Sequence, residues 1–153
     1  MIFEAIEYLI HRCLHQPYSS KHFPYHRNHH RTYQTDHDYR TNKSLLKSLI
    51  QQVLSVWIFS LAWSYGFIAA YIAWSILIYN LMHFISHTDL FPTIRFYHKA
   101  HHRDPSKNIG ISSPAVDWFM NTMHEEFIVK HPILLILPPP LSFLAIEHNP
   151  NME

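Results

Sequence analysis

The stretch SLIQQVLSVWIFSLAWSYGFIAAYIAWSILIYNLM, residues 48 to 82, runs for 35 residues without an Asp, Glu, Lys or Arg. As a single helix it would be roughly 52 Å long, too much for a hydrocarbon core about 30 Å thick. Divided at Trp63-Ser64-Tyr65-Gly66, it gives two segments of about 16 residues, each slightly short of a full span. The expectation is a transmembrane hairpin with Gly66 near its tip. The alternative, a buried helical pair in a soluble protein, is disfavoured by the length of the uncharged run.

Charges at the two ends orient the hairpin. Arg31, Arg40, Lys43 and Lys47 precede it, Arg95, Lys99 and Arg103 follow it, and the tip has no cation. Positive charge is retained on the cytoplasmic side, so both ends are expected there. The membrane would be the endoplasmic reticulum in a eukaryote or the inner membrane in a bacterium. A hairpin returns its end to the face where it began, so the segments flanking the run meet at one membrane surface.

Those flanks carry the same histidine phrase twice. YHRNHHR at 25–31 returns as YHKAHHR at 97–103. Extending outward, His11, His15, His26, His29 and His30 lie at offsets 0, 4, 15, 18 and 19, and His83, His87, His98, His101 and His102 repeat them 72 residues later. Ten of the 15 histidines fall into these two sets. On a helix, residues at i, i+3 and i+4 share a face. HRCLH and HFISH therefore each present two imidazoles on one side, and HRNHH and HKAHH each present three.

Ten convergent imidazoles would repel one another if protonated together, and a metal resolves this because neutral imidazole is its commonest ligand. One metal takes about six ligands at most, so ten imply two metals with four or five imidazoles each. Whether the sets share them is open, and imidazole alone suits Zn, Cu, Fe and Ni. No carboxylate sits inside the boxes, unlike the Glu-x-x-His pattern of soluble di-iron bundles.

Composition narrows the class. Hydrophobic residues make up 48%, aromatics 15% and charged residues 15%, the last below the roughly 25% usual in soluble domains. The net charge of +1 argues against a nucleic-acid partner. One cysteine, Cys13, excludes an internal disulfide and is expected to be a small buried residue. At 153 residues the chain reads as a single domain, 1–153. The N-terminus lacks a basic n-region and a small-residue cleavage site, so no signal peptide is expected.

Along that domain the first histidine boxes occupy 1–31, the hairpin 48–82, the second boxes 83–104, and an amphipathic and interfacial segment 114–146. Residues 2 to about 15 read as a helix with Ile2, Ile6, Leu9, Ile10 and Cys13/Leu14 on an apolar side. Pro17 and Pro24 bracket a break before a short helix over 25–31, and 32–44 is a polar connector. Ser113-Pro114 reads as an N-cap opening a helix from 114 to about 130, with Val116, Phe119, Met120, Met123 and Phe127 on its apolar face. Residues 133–146 are apolar but interrupted by three prolines, which predicts an interfacial or re-entrant segment. The fold class is all-α, a membrane hairpin with a cytosolic histidine-rich helical cap.

On these residues the chain resembles the fatty acid hydroxylase superfamily, which includes sterol desaturases and carotenoid hydroxylases. EYLIHRCLH, YHRNHH, a pair of apolar helices, NLMHFISH and YHKAHH follow in the family's order. NIGISSPAVDWFMNT is similar to the segment after its last box, with Asn108, Gly110, Asp117, Trp118 and Thr122 matching. Ile109, Val116 and Asn121 depart from the usual Tyr, Trp and Gly. Family members usually carry further membrane helices before the first box, which here starts at residue 11.

The resemblance implies a di-iron centre, although zinc is possible in isolated protein, with O2 as co-substrate. Its ligands would be His11, His15, His26, His29, His30, His83, His87, His98, His101 and His102. It implies hydroxylation or desaturation of a fatty acyl, sterol or isoprenoid lipid. The two electrons would come from a cytochrome b5 or ferredoxin type donor with its reductase, and a homo-oligomer is compatible.

Three residues are candidates to support those ligands: Asp117 and Glu7, each as acceptor for an imidazole N–H (Glu7 from His11), and Asn108. Asp104 is a weaker one, and Asp36, Asp38 and Asp89 read as connector residues. His22, His37, His124, His131 and His148 lie off the repeat and read as surface or interfacial. Trp57, Trp63, Trp74 and Trp118 read as lipid-facing anchors.

Two rival classes are a non-catalytic zinc-binding or metal-transporting membrane protein and a bis-histidine haem protein. A transporter should carry its ligands near the bilayer midplane, whereas these flank the apolar run. Haem needs one imidazole per face, which leaves the adjacent pairs His29-His30 and His101-His102 unexplained.

Overall fold

A computed structural model of the chain describes residues 2–22, 24–33 and 42–149. The expected connector, with His37, Asp36, Asp38 and Arg40, lies largely outside the described residues.

Helix α1, Ile2–Leu14, is amphipathic in an inverted sense. Glu4, Glu7, Tyr8 and His11, at i, i+3, i+4 and i+7, form its buried face, while Ile2, Ile6, Leu9 and Ile10 are exposed. Cys13 belongs to the outward side and is exposed, which corrects the expectation of burial. The break expected between Pro17 and Pro24 is instead a short helix α2, Pro17–His22, followed by α3, Pro24–Tyr33. Each proline occupies the first helical position, where its missing N–H costs nothing.

Helix α4, Asn42–Ala62, and helix α5, Phe67–Ser86, are joined by a 3-10 turn, Trp63–Tyr65, and by Gly66 at φ 99. Both outrun the uncharged stretch, so the apolar segments Leu46–Tyr65 and Phe67–Ser86 are 20 residues long rather than 16. At about 1.5 Å per residue each matches a hydrocarbon core about 30 Å thick. Only 11% and 28% of these segments are buried, far less than the core helices of a soluble protein would show. They are two candidate membrane-spanning helices in a mostly helical chain.

The polar groups on these helices meet one another. Gln51 Nε2 donates to Asn80 Oδ1 (2.6 Å), Asn80 Nδ2 donates to Ser55 Oγ (2.6 Å), and Gln52 Nε2 donates to the Asn80 carbonyl (2.9 Å). Phe59 packs on Trp74 further along, so α5 runs back beside α4. In an apolar surround such bonds hold two helices in register. Asn80 lies one turn before His83, so this register places the second H-x-x-x-H pair.

Helix α6, Pro92–Arg103, carries the last box. The helix expected over 114–130 is much shorter: α7 is Ala115–Phe119. Asn121 takes a left-handed conformation (φ 56), Thr122 N–H donates to the Asp117 carbonyl and Asn121 N–H to that of Trp118. This is a Schellman cap, and Asn is among the few residues that accept its geometry. The apolar spacing from Val116 to Phe127 suggested a longer helix, but the cap overrides it, leaving Phe119 82% exposed.

Beyond the cap, β1 (Phe127–Val129) pairs antiparallel with β2 (Ile146–His148), in the register Phe127↔His148, Ile128↔Glu147 and Val129↔Ile146. The proline-rich segment between them forms two 3-10 turns, Pro132–Ile136 and Leu141–Ala145. The fold is therefore mostly helical, as expected, with one small strand pair among the described residues that the sequence did not announce. The core runs from Met82 of α5 through Ile94, Tyr97 and Ala100 of α6 to Phe127, Leu135, Phe143 and Ile146. Arg103 donates to both oxygens of the buried Glu126 (2.5 and 2.6 Å), fastening the strand pair to α6.

Candidate metal centre

Four helices deliver the ten repeated histidines to one region. His11 lies in the last turn of α1 and His15 just past its end. His26, His29 and His30 lie on α3, His83 on α5 with His87 capping it, and His98, His101 and His102 on α6. The i, i+3, i+4 spacing is what turns these rings to a common side.

Among the described residues they form two groups. One ring nitrogen from each of His11, His15, His30 and His101 lies within 4.8 Å of the others, and the same holds for His29, His87, His98 and His102. The remaining two abut these groups: His26 Nε2 is 3.0 Å from His15 Nε2, and His83 Nε2 is 3.0 Å from His29 Nε2. Further Nε2 to Nε2 separations are 3.2 Å for His15–His101, 3.1 Å for His87–His98 and 3.0 Å for His98–His102.

The grouping does not follow the sequence repeat. The first group takes His11, His15, His26 and His30 from the first set and His101 from the second. The second takes His83, His87, His98 and His102 from the second set and His29 from the first. His29 and His101 are the equivalent histidines of the repeat, and they have changed places. The groups touch where the rings of His30 and His102 stack, with centroids 4.2 Å apart.

The donor set fits metal ions. Nitrogens bound to an ion at about 2.0–2.1 Å lie roughly 2.8–3.4 Å from their nearest neighbours in octahedral or tetrahedral sets, and the 3.0–3.2 Å separations above fall in that range. Neither ring nitrogen of the buried His30 meets a hydrogen-bond partner, so an ion would complete a polar group otherwise left unsatisfied. Two imidazoles are turned by backbone. His11 Nδ1–H donates to the Ile109 carbonyl (2.5 Å) and His101 Nδ1–H to that of Lys107 (2.7 Å). This tautomer leaves each Nε2 bare and facing its group.

Burial, reinforced at most positions by the neighbouring rings, keeps these imidazoles neutral. It lowers His11, His98 and His101 well below the usual imidazole value, brings His15 and His26 down to about 4 and His102 to about 3, and depresses His29, His30 and His87 as well. An unfolded chain, with histidines near 6.5, binds more protons than the folded one between about pH 6.5 and 4, so stability is lost as pH falls through that window. Metal-free protein melted in detergent is expected to hold its melting temperature from pH 8 to 7 and lose it progressively below about 6.5. A flat profile down to pH 4 would show that the rings are not buried together.

The three supporting candidates touch backbone rather than imidazole. Glu7 accepts from the N–H groups of Ile111 (2.8 Å) and Ser112 (3.1 Å), not from the ring of His11. Asp117 accepts from the N–H of Ile109 (2.8 Å) and Gly110 (2.7 Å), from Tyr97 Oη (2.9 Å) and from Thr122 Oγ1 (2.7 Å). Asn108 donates to the Tyr97 carbonyl (3.1 Å) and accepts from His124 N–H (2.7 Å). Asp104 accepts from Ser106, closing a turn, and Asp89 pairs with Arg95.

Among the off-repeat histidines, His22 and His131 are exposed, and His124 and His148 lie 3.8 Å from Glu126. The carbonyls of Lys107 and Ile109 escaped sequence reading because a main-chain acceptor carries no residue signature. Tyr97 had one signal, its coincidence with Tyr25 in the repeat.

An apolar cavity of about 370 Å³ opens between α1 and α5. Phe3, Ile6 and Ile10 line it from α1, Ile72, Ile76 and Tyr79 line it from α5, and His11 and Glu7 also border it. It thus joins the lipid-length surface of α5 to the first histidine group.

Two groups of histidines that could hold metal, beside helices long and apolar enough to cross a bilayer, define the class of membrane-associated histidine-box proteins. The family model for fatty acid hydroxylase matches residues 1–146. The chain belongs to the fatty acid hydroxylase family. No curated protein and no solved structure matches it.

Proposed function

We propose that the protein is an integral-membrane di-iron oxidoreductase that hydroxylates or desaturates a lipid chain. The observation that carries this reading is the pair of four-imidazole groups, each with a fifth histidine beside it, the first group bordering an apolar cavity. Two iron ions held there would activate O2 with two electrons from an external donor. For hydroxylation, R–H, O2, two electrons and two protons give R–OH and water.

The chain's own residues account for binding and exclusion. Helices α4 and α5 would cross the bilayer as a hairpin, and the cations flanking them keep both histidine sets on the cytoplasmic side. A lipid chain would enter sideways from the bilayer and lie between Ile6 and Ile10 of α1 and Ile72 and Ile76 of α5, with a methylene beside the His11 group. Among the described residues both groups offer only imidazole, so ions held there would keep their full positive charge.

The test combines metal analysis of the detergent-purified protein with lipid profiles of an expressing host supplied with an electron donor. About two iron ions per chain and a new hydroxylated or desaturated lipid are expected. Two bound ions with an unchanged lipid profile would favour a metal-binding protein without redox chemistry.

A further inference from the structure

Four successive backbone N–H groups are taken by two buried carboxylates that approach from different elements. Ile109 and Gly110 donate to Asp117 of α7, and Ile111 and Ser112 donate to Glu7 of α1. Glu7 is 5% exposed and Asp117 fully buried. A run of consecutive amides converging on two carboxylates fixes a loop at four successive main-chain positions, through bonds that are shielded from water. Gly110 shows how closely the loop is gripped: a Cβ there would lie 2.9 Å from Asp117 Oδ2 and 2.6 Å from the Ser113 carbonyl.

With its amides held outward, this loop offers its carbonyls to the histidines. Ile109 meets His11 and Lys107 meets His101. Both rings belong to the first group, although they come from different histidine sets. Glu7 lies one turn before His11 on α1, so a single helix carries both the ring and the anchor of the loop that orients it. Nδ1 of His98 in the second group is buried without a hydrogen-bond partner, as are both ring nitrogens of His30 in the first, so the loop carbonyls orient two particular rings of the first group.

We infer that Glu7 and Asp117 are positioning residues for one of the two ions: they clamp the 107–112 loop so that its carbonyls set the tautomer and direction of His11 and His101. This rests on the two-ion reading above. It differs from a general structural role in predicting that the two ions respond unequally.

The experiment titrates Co2+, as a spectroscopic probe, into metal-free wild type, Glu7→Gln and Asp117→Asn in detergent. Bound metal is counted after competition with a chelator, and helical content is followed by circular dichroism. Partners beyond the ligands typically contribute about 10–100-fold in metal affinity. One of the two ions is expected to bind about 10–100-fold more weakly in each variant, with the other unchanged. Tyr97→Phe, which removes one hydroxyl donor to Asp117 and leaves the carboxylate in place, should shift the same ion by less and covers the case of a misfolded variant. Equal weakening of both ions, or of neither, would overturn the positioning role while leaving the two-ion reading intact. A wild-type protein that binds no Co2+ would overturn both.

Discussion

Replacing His101 with alanine is expected to strip the ion from the first histidine group, although His101 belongs to the second set in sequence. The reciprocal variant, His29→Ala, is expected to strip the second. Each should lower bound metal from about two ions to about one and reduce lipid oxidation at least about 10³-fold, because the parts of such a centre act as a unit. Double variants identify which ion is lost. Adding His11→Ala to His101→Ala should remove little further metal, since both rings serve one group, whereas adding His87→Ala should remove the remaining ion. If His101→Ala and His87→Ala instead behaved as members of one group, ligation would follow the sequence repeat and the exchange seen in the structure would be wrong.

The second large effect belongs to the cavity. Ser75 lines it from α5, and its hydroxyl is already satisfied by the Tyr71 carbonyl (2.8 Å). Ser75→Trp would place an indole in the space proposed for the lipid chain. Product formation is expected to fall about 10²-fold, the scale of a substrate held out of its reactive position. Bound metal should stay at two ions, and Ser75→Ala should be close to wild type. Undiminished product from Ser75→Trp would mean that the chain reaches the centre by another route.

The two predictions separate parts of the molecule that differ in how far the sequence alone determined them. The uncharged run from Ser48 to Met82 determined the two long apolar helices, because twenty apolar residues in one stretch have few alternatives to a helix in lipid. The doubled histidine spacing determined which imidazoles would face the same way within each box, since i, i+3 and i+4 positions on a helix share a face whatever the rest of the fold does. Family membership was legible in the same residues.

Other features needed the tertiary structure. The C-terminal apolar spacing suggested a long helix, and a single Asn121 in the left-handed region ended it after five residues. Apolar periodicity reports which face is greasy, and only packing decides whether that face turns inward. On α1 it turns outward, with Glu7, Tyr8 and His11 buried. Glu7 was close enough in sequence to reach His11, but the backbone amides of Ile111 and Ser112 hold it instead.

The exchange of His29 and His101 was beyond the sequence for the same reason. Spacing along one helix fixes which rings share a face, but not which rings of another helix they will meet. That pairing is set by how α1, α3, α5 and α6 cross, and crossing is a property of packed side chains far apart in the chain. The histidines of the candidate metal centre were legible in the sequence; their division into two groups was decided by the fold.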